Sequence, residues 1–221
     1  MQASPKNPLF VSLISLLSLM VGVTACVSAP SAPPPAGPPV NLHGDERVTY
    51  TQRIALPSPY AKIAFTYRGR GNFIVKAHYE EIGYDLAVTD TLVNAIGDYQ
   101  GMVFVASKEP VAFEITADDG TWDAAIEGVG ETGHATGWEG KGDSVSDFFE
   151  PPQDKGWRIV HTGTSNFIVQ VFCLQSSQKS PETTVVNAIG KYADTVKITF
   201  DGAPCLWIVN ADGEWRIRLE E

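Results

Sequence analysis

The chain has 221 residues, 43% hydrophobic and 10% aromatic, with 26 acidic against 16 basic side chains and a net charge of −10. That composition supplies ordinary packed cores, and an acidic chain with no run of basic residues is a poor candidate for electrostatic binding of nucleic acid or anionic lipid. The charge serves solubility, so function has to be sought in motifs.

Residues 1–25 carry one charge, Lys6, and an apolar run from Leu9 to Val23. The run is too short for a comfortable membrane span and has the form of a secretory signal. It ends in Val23–Thr24–Ala25–Cys26. These four residues resemble the lipobox of bacterial lipoproteins: an aliphatic residue, two small residues, then the cysteine that receives diacylglycerol before cleavage on its amino side. The resemblance covers the first 26 residues. It implies that Cys26 is the mature first residue, held to the membrane by acyl chains such as palmitate without a spanning helix. Loss of Lys6 with the signal takes the charge from −10 to −11. By the same resemblance, Val27 in place of Asp leans to the outer membrane if the source is Gram-negative. Residues 26–42, with Pro30, Pro33, Pro34, Pro35, Pro38 and Pro39, read as an extended tether.

The rest of the chain is a tandem duplication. Asn94–Ala95–Ile96–Gly97 returns as Asn187–Ala188–Ile189–Gly190, and Asn72–Phe73–Ile74–Val75 as Asn166–Phe167–Ile168–Val169, at offsets of 93 and 94 residues. Asp119–Gly120–Thr121–Trp122 matches Asp212–Gly213–Glu214–Trp215, again at 93. Both copies alternate apolar and polar residues with period two: Phe73, Val75, Ala77 and Tyr79; Val111, Phe113 and Ile115; Phe167, Val169, Val171 and Cys173. The Asp-Gly pairs read as hairpin turns supplying a positive φ. The predicted fold is all-β, two small antiparallel β-sandwiches in series over residues 43–132 and 133–221. Gly44–Asp45 and Gly142–Asp143 mark the starts, with a glycine-rich linker near residues 128–140. The unit resembles tandem β-sandwich modules of bacterial secreted proteins and lipoproteins, a resemblance that implies a fold and no activity.

No hydrolase elbow, zinc-protease motif, phosphate loop or dinucleotide fingerprint occurs. His43, His78, His134 and His161 are scattered, and no catalytic residue or cofactor is assigned. Glu139, Asp143, Asp147 and Asp154 gather at the start of copy two and are weak calcium candidates, without the spacing of an EF-hand loop. Cys173 and Cys205 form an even pair suited to an oxidising compartment. The phase read from the repeat sets Cys173 inward and Cys205 outward, opposite Tyr79 and Ala112 of copy one, which argues against a bridge. The same phase gives copy two an apolar outer patch of Phe172, Trp207 and Val209 where copy one has His78, Glu114 and Thr116. That patch reads first as a contact between the domains and second as a platform for a ligand such as a polysaccharide ring. The functional expectation is an exported, lipid-anchored envelope protein with a non-catalytic binding or adhesion role. Its rivals are a spacer or assembly subunit bound to another envelope protein, and an enzyme of unrecognised type.

Overall fold

A computed structural model describes residues 35–80, 87–153, 155–174, 182–200 and 202–220. The signal segment, Lys6, Cys26, residues 26–34 of the tether and Asp154 lie outside the described residues.

The described chain is all-β. Copy one consists of β1 (Val40–Gly44), β2 (Val48–Tyr50), β3 (Tyr60–Arg68), β4 (Asn72–Glu80), β5 (Ala87–Ile96), β6 (Tyr99–Ala106), β7 (Ala112–Ala117) and β8 (Thr121–Gly128). Copy two follows with β9 (Glu131–His134), β10 (Gly137–Lys141), β11 (Ser144–Val145), β12 (Phe148–Glu150) and β13 (Gly156–His161). It ends with β14 (Asn166–Cys173), β15 (Glu182–Ile189), β16 (Tyr192–Lys197), β17 (Cys205–Ala211) and β18 (Glu214–Leu219). In copy one the sheets are ordered β1-β8-β3-β6 and β2-β7-β4-β5; copy two repeats them as β10-β18-β13-β16 and β15-β14-β17, the latter flanked by β11, β12 and β9. Alternation closes each pair of sheets over its own core. Ile63, Phe65, Phe73, Val75, Phe113 and Ile115 fill the first; Trp157, Ile159, Phe167, Val169, Trp207 and Ile217 fill the second.

The duplication extends to irregularities. Leu92 and Val185 are the extra residues of equivalent bulges, since Val75 pairs with Val93 and Lys76 with Thr91, as Val169 pairs with Val186 and Gln170 with Thr184. Gly97 and Gly190 turn the next hairpin with φ of 82° and 81°, a region glycine enters without strain. The Asp-Gly turns use glycine differently. Asp119, not Gly120, takes the positive φ of 57°. A Cβ on Gly120 would lie 2.4 Å from the Arg68 carbonyl oxygen, and one on Gly213 2.6 Å from Gly163 Cα, so closeness selects glycine there.

Three expectations are corrected. The copies begin before Gly44 and Gly142, because β1 starts at Val40 and β10 at Gly137. The strand pairs match Gly44 with Gly140, each lying opposite the tryptophan of its Asp-Gly-x-Trp turn. The expected linker near 128–140 is largely strand, carrying β9 and most of β10. Val40–Leu42, read as tether, is already paired in β1 with β8.

Candidate binding surface

The predicted outer patch carries the main correction. Phe73 pairs with Ala117 and Phe167 with Ala211, so β7 and β17 correspond at an offset of 94, not 93. Copy two therefore makes its turn one residue shorter, Asp212–Gly213 against Asp118–Gly120. A slip of one residue inverts every side chain of a strand. Trp207 and Val209, at 1% exposure each, consequently lie in the core of copy two, where Trp207 stacks on Phe149 at 5.8 Å and meets Trp157 edge-on at 5.3 Å. The outward residues of β17 are Leu206 and Ile208, which join Phe172.

The same slip resolves the cysteines. Cys205 corresponds to buried Val111, not to Ala112, and faces inward with Cys173. The two residues pair across β14 and β17, and their sulfurs are bonded in a disulfide spanning 32 residues.

Phe172, Leu206 and Ile208, with Val145, Phe148 and Leu174, pack on Tyr60, Met102, Phe104 and Ala106 of copy one. Phe172 lies 4.9 Å from Phe104 and 5.6 Å from Tyr60, ring centre to ring centre, and Tyr60 meets Phe148 at 5.5 Å. Lys62 Nζ donates to Asp147 Oδ1 at 2.8 Å beside this contact. The outer face of β3 and β6 thus lies against the outer face of β14 and β17. The contact is head-to-tail, and neither copy can repeat it. The counterparts of Phe172, Leu206 and Ile208 in copy one are His78, Ala112 and Glu114, the last ion-paired with Lys76 at 3.1 Å. Ala64, Met102 and Phe104 have Arg158, Thr195 and Lys197 as counterparts in copy two. Charged side chains thus stand on each free face where the buried contact has apolar ones.

The acidic candidates are separately engaged. Glu139 accepts from Arg216 Nε at 2.8 Å and lies 3.6 Å from Arg218. Asp147 accepts from Lys62 and from the Gly130 amide. Asp143 accepts from the Tyr99 hydroxyl at 2.7 Å, Asn210 Nδ2 at 2.9 Å and the Ala211 amide at 3.0 Å. Burial pushes the Asp143 carboxyl above its ordinary range, and burial then the Asp143 charge hold the Tyr99 hydroxyl well above its own. Among the described residues no three His, Cys, Asp or Glu side chains are grouped to hold a metal ion.

The contact also fixes which ends align. At one end Tyr99 reaches Asp143, and the Met102 amide donates to the Asp143 carbonyl at 2.9 Å; at the other Tyr60 meets Phe148 and Phe172. The β3–β4, β5–β6 and β7–β8 turns therefore open on the same side as the β13–β14, β15–β16 and β17–β18 turns. Carboxylates anchor these turns. Asp118 accepts from Arg47 Nε and Asn72 Nδ2, while Asp212 accepts from the Thr164 and Ser165 amides and the Thr164 hydroxyl. Those bonds, first from Arg47 and from the Thr164 amide respectively, lower both carboxyls below their ordinary range.

His161, fully buried, lies 3.3 Å from Asp212 and hydrogen-bonds the Gly190 carbonyl through Nδ1 at 2.8 Å. Its ring stacks on Phe167 as Tyr67 stacks on Phe73, and the Tyr67 hydroxyl donates to the Asp118 carbonyl. The Thr164 hydroxyl contacts Asp212 rather than the imidazole. A buried histidine answered by tyrosine in the sister copy closes a turn in both.

At the turn end Ile96 and Ile189 stand 79% and 80% exposed. Positive φ accounts for the glycine after each, and nothing in either core accounts for the isoleucine. A scan against protein-family models finds no match to this chain, and a search of curated proteins finds none either.

Proposed function

We propose that the chain is a lipid-anchored protein of the bacterial envelope with a non-catalytic binding role. One observation carries this reading. The chain enters the body where the Gly37 amide donates to the Pro57 carbonyl and Val40 pairs with Ile126, at the end opposite the six turns. A tether rising from a lipid on Cys26 therefore presents the turn end, with Ile96 and Ile189, away from the bilayer. Isolated exposed apolar residues are ordinary. Retention of the same exposed isoleucine in two copies that differ at most other outer positions is what supports a role in contact. The second reading, a spacer bound to another envelope protein, draws on the buried contact that makes the two modules one body.

The first test is phase partition of the full chain into a clouding detergent, beside Cys26→Ala. The wild type should enter the detergent phase and the variant the aqueous phase; equal partition overturns the anchor. A thermal-shift screen of the mature chain with envelope polysaccharides tests binding, because a ligand of the native state raises the midpoint by mass action. A rise for a polysaccharide supports the binding role, and no rise with any of them favours the spacer.

A further inference from the structure

We propose that the outer face of the β10-β18-β13-β16 sheet binds an acidic polysaccharide. The inference rests on the binding role above and names the ligand class and the surface. The cations are scattered in sequence, but the strand register gathers Lys141, Arg158, Lys197, Arg216 and Arg218 on this one face, all exposed, against Glu139, Glu214 and Glu220. A chain of net charge −10 thus carries one face with a local excess of positive charge.

Within that face Arg158 lies directly across the strand pair from Arg218, with Arg216 two residues further along β18. Like charges directly opposite on a sheet are unfavourable, so the fold gains nothing from this pair. One carboxylate, Glu139, serves both Arg216 and Arg218, and among the described residues no carboxylate lies within ion-pair distance of Arg158. The sister copy shows that the fold needs no arginine there: at the equivalent positions it has Ala64 opposite Ala125, and Asp123 for Arg216. Beside the arginines runs an open groove of about 600 Å³ lined by Lys141, Arg216, Thr162 and Val160, with Glu139 and Glu214 at its sides.

The chemistry points to spaced carboxylates on an extended, uncompacted chain. Guanidinium forks take carboxylates in paired hydrogen bonds, and an open groove along a sheet face admits a polymer rather than enclosing a small molecule. Polyphosphate in the test below stands for a nucleic-acid backbone. A membrane surface is disfavoured by geometry, since the face is a flank of copy two and not the end at which the chain enters.

The test measures binding of the full-length lipidated protein in neutral detergent to polygalacturonate, neutral dextran, polyphosphate and anionic vesicles. It compares the wild type with Arg158→Gln/Arg218→Gln and with Arg47→Gln/Arg53→Gln on copy one. Polygalacturonate should bind in a salt-dependent manner, and dextran should not. The Arg158/Arg218 variant should weaken binding at least tenfold with an unchanged or raised melting midpoint, and the Arg47/Arg53 variant should bind as wild type. Equal binding by the wild type and the Arg158/Arg218 variant overturns the proposal, as does binding of polyphosphate or vesicles in preference to the polyuronate. If polygalacturonate fails while the wild type still sediments with isolated envelope polysaccharide, the face is refuted and the binding role stands. If both fail, both fall.

Discussion

Replacing Phe172 with alanine addresses the contact on which the shape of the molecule depends. The ring is 5% exposed and packs against Phe104 and Tyr60 of the other module. Truncating a core phenylalanine costs about 3–5 kcal/mol. Tyr60 and Phe104 are only partly buried, so the lower bound, about 3 kcal/mol, is expected here. Urea unfolding followed by tryptophan fluorescence is the assay, because Trp138, Trp157, Trp207 and Trp215 report copy two and Trp122 reports copy one. The wild type should unfold in one cooperative transition. Phe172→Ala should lower the midpoint and bring the two modules apart, with a smaller denaturant slope for the transition seen by fluorescence. The equivalent substitution in copy one, His78→Ala, should change stability by less than about 0.5 kcal/mol, as a solvent-facing site does. A Phe172→Ala protein within about 0.5 kcal/mol of wild type and with an unchanged slope refutes the packed contact.

Three further outcomes follow from the same geometry. Cys173→Ala/Cys205→Ala releases a loop of 32 residues, for which the chain-entropy relation gives about 4 kcal/mol, read as a fall in melting midpoint that reduction of the wild type reproduces. Gly140→Ala places a Cβ 2.6 Å from the Trp215 ring and should cost about 1–3 kcal/mol by overpacking, whereas alanine at an open strand glycine is neutral or better; equal melting of the variant and wild type contradicts this. Asp212 is held below the ordinary carboxylate range, so the unfolded chain takes up its proton at higher pH than the native one. The stability it contributes is present above the ordinary carboxyl value, about 4, and is lost as pH falls through the native value. Asp212→Asn should therefore flatten the acid side of a melting-midpoint profile and leave its neutral-to-basic slope alone; a parallel profile would contradict the assignment.

The fold was legible because alternation is a local signal: Phe73, Val75 and Ala77 are buried where period two puts them, and so are Phe167, Val169 and Val171. Register was not legible, because the copies differ in length at the turns. The single residue lost between Ala211 and Glu214 is invisible to an offset measured from the tryptophan, yet it turned Trp207, Val209 and Cys205 from surface to core. That an outer face of copy two carries apolar residues survived the slip, since Phe172 precedes the shortened turn and Leu206 and Ile208 stand beside the residues first named. The basic face was hidden for a different reason. Lys141, Arg158 and Arg218 are far apart in sequence and meet only through strand pairing, so an acidic chain without a basic run conceals a basic surface. The exposed isoleucines belong to the repeated Asn-Ala-Ile-Gly motif, and only their exposure separates them from the turn formers around them.

Two copies of one sandwich form a single body with their turns on one side. Nuclear magnetic resonance of the mature chain with Cys26→Ser tests it most directly, through aromatic contacts between Phe104 and Phe172 and through the rotational correlation times of the two modules. Cross-peaks between those rings, whose centres lie 4.9 Å apart, and one common tumbling time are expected. Separate tumbling times for the two modules, with no contact between the rings, would contradict it.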